Sequence, residues 1–215
     1  NVYHSNFSLD NAGSGGRIRL SSSAPDTYLG DATFSSSGGQ DVQVAYIGDN
    51  SFAGNITINS NKVVFNTSTG KVTFTGTSNQ TLNGSYNYTF KNVAINKSSG
   101  NVTANSTLSV DDSLIFMQGN LITTSTNLLT MKHGSKTHGA SNSSFVSGPV
   151  KKVGNSSFLF PIGIGGTYRS LGMSAPSNSS NAYTAEYFNI LQTFGSTLDS
   201  TIQEISNCDY WSFVN

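Results

Sequence analysis

At 215 residues the chain has room for one large or two modest domains and can bury a real core, which excludes a miniature fold held by disulfides or metal. Charged residues make up only 10%, against roughly 25% in an ordinary soluble protein, and 11 basic side chains balance 11 acidic ones. That balance excludes a basic stripe that would release counterions from nucleic-acid phosphates, and a polybasic run that would hold an anionic membrane, so neither is expected as a partner. No apolar run approaches the roughly 20 residues of a membrane helix, and no transmembrane segment is expected. Ser, Thr, Asn and Gly carry the polarity instead, while an aromatic content of 11% argues against a disordered chain.

The chain opens on NVYHSNFSLD, without an initiator Met, a basic n-region or an apolar h-region. NFSLD meets DATFS at an offset of 25, pairing Phe7 with Ala32 and Leu9 with Phe34. YLGDATFSS then superimposes on FAGNITINS at an offset of 24, pairing Gly30 with Gly54, Asp31 with Asn55, Ala32 with Ile56 and Phe34 with Ile58. Between them, Ile18 and Leu20 of GRIRL map 24 residues on to Val42 and Val44 of QDVQV. Each unit therefore reads as two short strands whose period of two sends one set of side chains inward and the other outward. A period in the twenties, built of short strands with Gly, Asn and Ser corners, is what a β-solenoid requires. The pattern loosens through KVVFNTS, KVTFTG, YTFKNVAIN, GNVTANSTLSV, SLIFMQG and NLLTMKHG, with strand following strand to about residue 135. An up-and-down sandwich is the competing reading, with MQGN as a hairpin turn between SLIF and LIT.

The polar stretch HGSKTHGASNSS reads as a linker, drawn at 136–144. Beyond it, strands broken by Pro149 and Pro161, the alternating NAYTAEYFN, and a short helical turn around STIQEIS read as a second unit. The expected fold class is all-β: a β-solenoid, β-helix-like, over 1–135, followed by an incomplete β-sandwich-like module over 145–215. The only tryptophan, Trp211, stands four residues from the last residue, too few to finish a strand and cap it, so both ends are expected to be cuts.

The run SFVSGPVKKVGNSSFLFPIGIGGTYRSLGMS, followed by YTAEYF and ISNCDYW, resembles a module of large secreted and surface-attached proteins of the Bacteroidetes. FTGTSNQTLNGSYNYTFKNVAINKSSGNVTANSTLSVDDSLIFMQGNLITTSTNLLTM is similar to the repeat region that precedes that module. The resemblance covers about 60–214 and departs from the family at Tyr168 to Ser170, where relatives show YRP. It implies export by the type IX secretion system, an extracellular cell-surface location beyond the outer membrane, and an adhesin role of the kind associated with gliding motility. Relatives continue past the Trp and carry a secretion signal domain at the far C-terminus. In that family DSL and DST, at Asp112 to Leu114 and Asp199 to Thr201, resemble the short O-glycosylation signal, which makes Ser113 and Ser200 candidate acceptors.

The residues themselves carry little chemistry. His4, His133 and His138 lie in no catalytic motif; there is no GxSxG elbow and no HExxH, and the last two read as solvated loop residues beside the alternative of a weak metal site. Asp111 and Asp112 are adjacent, so a strand sends them to different sides and they do not face one glycosidic bond as a pair. DNAGSGG and IGDNS echo calcium loops only as turns do. No catalytic residue, metal or cofactor is expected. Cys208, the only cysteine, has no internal disulfide partner and reads as a small buried hydrophobe, or as pairing with a thiol outside the chain. Asn55, Asn83 and Asn96 read as rungs of an amide ladder. In GSYNYTF, Tyr86 and Tyr88 alternate onto one side and are the candidate carbohydrate-facing aromatics, beside the alternative of cross-strand packing.

These features describe a non-enzymatic surface protein, a stiff β-rich stalk or display module. Its partners would be glycans or cell surfaces, and the type IX outer-membrane components during export. Two rival readings are a β-helix carbohydrate-active enzyme fragment and an export substrate captured on the secretion translocon. The first wants a cleft of clustered Asp, Arg or Lys, and Arg17, Arg19 and Arg169 are the only arginines. A flat ice-binding solenoid would need Thr-x-Thr arrays, which the isolated TIN and TFT do not build.

Overall fold

The structure, a computed structural model, describes residues 1–190 and 208–215. Among the described residues it is all-β, a solenoid of about seven stacked parallel coils. The first coil is β1 (Val2–Tyr3), β2 (Phe7–Asp10) and β3 (Ile18–Arg19); the second is β4 (Asp26–Tyr28), β5 (Ala32–Ser35) and β6 (Val42–Gln43). The third is β7 (Asn50–Phe52), β8 (Ile56–Ile58) and β9 (Val63–Val64). Each strand pairs in parallel with its counterpart in the next coil, giving three faces where the repeat predicts two strands per unit. The registers Phe7 to Ala32, Leu9 to Phe34, Ile18 to Val42, and Ala32 to Ile56 are those the sequence offsets predict.

β10 (Lys71–Phe74) and β11 (Gln80–Gly84) continue the first two faces, and then the corner between faces straightens. β12 (Tyr88–Asn96) bridges back to Phe65 at Phe90 and pairs with β10 from Asn92 to Ile95, so a single long strand serves two faces. β13 (Val102–Ala104) stacks on β11, and β14 (Leu108–Gln118) repeats the long corner on top of β12. β15 (Leu121–Ile122) pairs in parallel with β13 rather than folding back on β14, which removes the MQGN hairpin.

β16 (Leu129–Met131) and β17 (Lys136–His138) divide the span of β14 between them. β18 (Val146–Ser147) and β19 (Val150–Val153) stack on β15 and β16. The parallel ladders thus run straight through the expected linker, whose residues 136–138 form a strand and whose Ser141 and Ser144 bridge each other across a corner. β20 (Phe158–Phe160) and β21 (Ile162–Ile164) follow on either side of Pro161, β21 still parallel to β18. In chain order the next strand, β22 (Thr167–Tyr168), pairs antiparallel with β21. β23 (Leu171–Met173) then pairs with β20, β24 (Ala182–Phe188) with β19, and β25 (Tyr210–Val214) with β24. β22, β24 and β25 extend the sheets of the coils, while β20 and β23 form a two-stranded sheet of their own. The expected turn around STIQEIS and Ser200 lie outside the described residues.

The core follows from the alternation. In β5, Ala32 and Phe34 are buried while Thr33 and Ser35 stay half-exposed, and β8 repeats this with Ile56 and Ile58. Parallel in-register stacking places like position over like position, strands about 4.8 Å apart, so aromatic rings stack along the axis. Tyr3, Tyr28 and Phe52 lie ring on ring, with centroids 4.9 Å and 4.5 Å apart. The Gly30–Gly54 column marks a corner without room for a side chain: a Cβ on Gly54 would lie 2.4 Å from the Gly30 carbonyl.

Candidate functional site

The structure separates the two candidate aromatics. Tyr86 sits in the corner between β11 and β12 and is exposed, whereas Tyr88 begins β12 and is fully buried. The Tyr88 hydroxyl lies 2.9 Å from the Ile56 carbonyl and 2.7 Å from that of Asn83. Period-two alternation fails here because the two tyrosines do not share a strand. Tyr88 is therefore a core residue and no carbohydrate platform, and Tyr86 is the exposed one of the pair. Ser113 is half-exposed in β14, on the solvent side between Asn92 and Lys136 of the neighbouring coils.

Asp111 and Asp112 lie at a bulge, where the register jumps from Phe90–Val110 to Asn92–Ser113 and two residues oppose Lys91 alone. Asp111 pairs with Lys132 at 2.8 Å and accepts from the Asn66 amide at 2.7 Å, while Asp112 is exposed, so the two serve different surroundings. His138 lies on β17, and His133 packs at the corner against Gly154; no group of three or more metal-ligating side chains occurs among the described residues. Cys208 is exposed just ahead of the edge strand β25, not buried as expected.

The amide ladder exists with Asn55 and Asn83 in it, and most of its rungs bind backbone N–H groups in place of a second amide. Side-chain oxygens of Asn6 and Asp31 accept the backbone N–H of Asp31 and Asn55, and Asn55 accepts that of Thr81. A second run passes from Asn79 to Asn101, Asn120 and Phe145 in the same way. Each rung satisfies a corner N–H that the sheet ladder leaves over. Asn83 instead accepts from the Asn105 amide at 2.8 Å, and Asn96 is exposed at the end of β12.

Two lysines are enclosed in the coil corners. Lys97 donates to the Thr75 carbonyl at 2.9 Å and to Gln80 Oε1 at 2.6 Å, and burial lowers its ammonium from the usual lysine range. Lys152 donates to the carbonyls of Lys132 at 2.7 Å and Ser135 at 2.8 Å and lies over the Phe158 ring. Burial pushes its ammonium down from 10.5 to about 8. A lysine lowered by folding binds fewer protons in the native than in the unfolded state between those values. Its neutral form is what the fold favours, so stability rises with pH across that window. Lys152→Met is expected to reduce the rise between about pH 8 and pH 10 in urea unfolding, with Lys97 supplying the remainder. Identical slopes in the two proteins would contradict the assignment.

Where β17 and β20 meet, the sheets part. Among the described residues β17 pairs only with β14 and β20 only with β23, and the Thr137 hydroxyl links the two by donating to the Leu159 carbonyl at 3.2 Å. The parting leaves a cavity of about 310 Å³ bounded by 134–138 and 156–159. A tighter void inside the coils is walled by Phe74, Phe90, Leu114 and their neighbours and is wholly apolar.

The fold and these sites define a three-faced parallel β-solenoid closed at one end by antiparallel strands. No family model, curated protein or solved structure matches the chain. No helix among the described residues is long and apolar enough to cross a membrane.

Proposed function

We propose that the chain is a non-enzymatic, adhesin-like surface protein exported by type IX secretion, serving outside the cell as a stiff stalk or display module. The observation that carries this reading is the unbroken parallel pairing on β2, β5, β8, β11, β13, β15, β18 and β21. A ladder of that length ties every coil to its neighbours by backbone hydrogen bonds and gives a rod that resists bending. Its outward positions favour wet contacts over buried hydrophobic ones: Ser8, Thr33 and Thr57 form one column and Thr81 and Thr103 another. Hydroxyls and amides in rows at strand spacing suit the hydroxyls of extracellular glycans, and they keep the rod soluble with few charges.

The test is antibody labelling of the source cells, intact and permeabilised, repeated in cells whose type IX translocon is inactivated. Labelling of intact cells that disappears with the translocon is expected. Signal confined to permeabilised cells would overturn the surface assignment, and surface labelling that survives would overturn the export route.

A further inference from the structure

We propose that the cavity between β17 and β20 binds one anionic sugar unit of an acidic polysaccharide. A volume of about 310 Å³ is at the small end of ligand sites, roughly 300–1,000 Å³, and suits one hexose-sized residue. Lys136 and His138 alternate onto the same side of β17, two residues and about 7 Å apart, and both are exposed at the cavity. Ser156 and Ser157 supply hydroxyls from the opposite wall.

Many polar side chains elsewhere on the surface are already partnered. Ser51 donates to Thr27, Ser109 to Thr89, and Thr81 to Asn55. Lys71 and Lys132 are paired with Asp49 and Asp111. The side chains of Lys136, His138, Ser156 and Ser157 make no hydrogen bond or ion pair with another described residue. They are clustered where the sheets part, with their donors directed at whatever fills the gap.

The sign of the ligand follows from charge placement. The chain is neutral overall, but between Asp112 and Glu186 it has no acidic residue at all, while Lys132, Lys136, Lys151, Lys152 and Arg169 fall in that interval. Lys132 is paired with Asp111 and Lys152 is buried, which leaves Lys136 at the cavity, with Lys151 and Arg169 in the same interval, as positive charges without an ion-pair partner among the described residues, a balance that attracts an anion and repels a cation. A carboxylate or sulfate placed near Lys136 gains a charge-assisted hydrogen bond without displacing any partner.

The saccharide class follows from the rest of the lining. Leu159 is 52% exposed and offers an apolar wall to the C–H face of a pyranose, with Phe158 behind it. An adjoining hollow of about 410 Å³, lined by Ser157, Phe158, Leu159, Gly172 and Met173, shares that wall, so a polymer continues over Leu159 from one hollow to the next. A nucleic acid would want exposed rings for its bases and a run of cations for its phosphates. Phe158 is buried, and Lys136 alone does not make a run.

This inference rests on the surface reading only in taking an extracellular polymer as the partner, and binding is measured apart from location. The full chain is titrated calorimetrically at physiological salt with a hexagalacturonate, a chondroitin sulfate hexasaccharide, neutral cellohexaose and an oligothymidylate. At least one acidic oligosaccharide is expected to bind while the neutral sugar and the oligonucleotide do not. Binding of the galacturonate alone assigns a carboxylate and of the sulfated sugar alone a sulfate. Lys136→Ala is expected to weaken binding about tenfold or more with unchanged unfolding temperature, and Lys62→Ala, on an earlier coil, to leave it as it was. Failure of both acidic sugars to bind, equal or tighter binding of cellohexaose or oligothymidylate, or full affinity in Lys136→Ala would each overturn the proposal. Internal location of the protein in cells would instead overturn only the surface reading.

Discussion

Gly84→Ala is expected to cost about 2–5 kcal/mol of stability, from backbone strain and forced overpacking together. Gly84 ends β11 with φ at 120°, and a Cβ there would sit 2.0 Å from the Ile58 carbonyl oxygen. Ile58 is fully buried and pairs with Gly84 in the parallel ladder, so neither backbone can yield without opening the joint between two coils. Coils contact only their neighbours, so the damage stays near that joint. Amide exchange is expected to speed up first across Ile56–Ile58 and Gln80–Gly84, with the loss of stability read from urea unfolding. Gly172→Ala is the control: its nearest neighbour would be Leu159 Cδ1 at 3.9 Å, and a near-neutral effect is expected. A Gly84→Ala protein as stable as its parent would show that the coils slide past one another more freely than the packing allows.

The early coils were legible because they are equal in length. Phe7, Ala32 and Ile56 occupy one column at nearly constant spacing, so sequence offset and strand register coincide. The column then continues through Leu82 and Ala104, and a parallel one through Val102, Leu121 and Val146. Those steps shrink and then lengthen again, and a fixed period loses phase. The long step from Leu121 to Val146 is why 136–144 reads as a linker: its Gly and Ser residues form an enlarged corner inside the stack, and composition alone does not distinguish a large corner from a boundary. The third face was harder to see because β3, β6 and β9 are two residues each, too short to carry a period of their own.

The polar interior was legible only in part. In VKKV the period of two sends Val150 and Lys152 to the same side, so an inward lysine could be anticipated from the strand alone. Its partners could not, because the Lys132 and Ser135 carbonyls that receive it come from the preceding coil. The ladder residues could be read as the Asn or Asp that precedes each strand of the second face, at Asn6, Asp31, Asn55, Asn79, Asn101 and Asn120. Asn83 makes the amide-to-amide bond expected of it, with Asn105 of the next coil, whereas Asn96 is exposed at the end of β12. The cavity had one signal in the sequence, the absence of any acid between Asp112 and Glu186, and a chain-wide net charge of zero conceals it.

Phe52→Ala is expected to cost roughly 3–5 kcal/mol, the range for truncating a buried aromatic. Phe52 is fully buried, stacked on Tyr28 at 4.5 Å and edge-on to Phe34 at 6.3 Å, and in register with Phe74 of the next coil. Removing the ring takes out the middle of a column that begins at Tyr3, and the surrounding backbone is held by ladders on both sides, so the void cannot close. Phe52→Leu keeps much of the volume and is expected to cost less than about 1.5 kcal/mol. Since a domain of this kind has about 5–15 kcal/mol in all, the alanine variant brings the joint between the second and fourth coils close to failure. Its denaturant curve is expected to split, with the first coils unfolding ahead of those beyond β12. Amide exchange across Phe7–Asp10 and Ala32–Ser35 should rise while that of Leu108–Gln118 holds. A single cooperative transition with uniform loss of protection would mean that coupling passes through the whole column of coils, and the nearest-neighbour account of this solenoid would have to be given up.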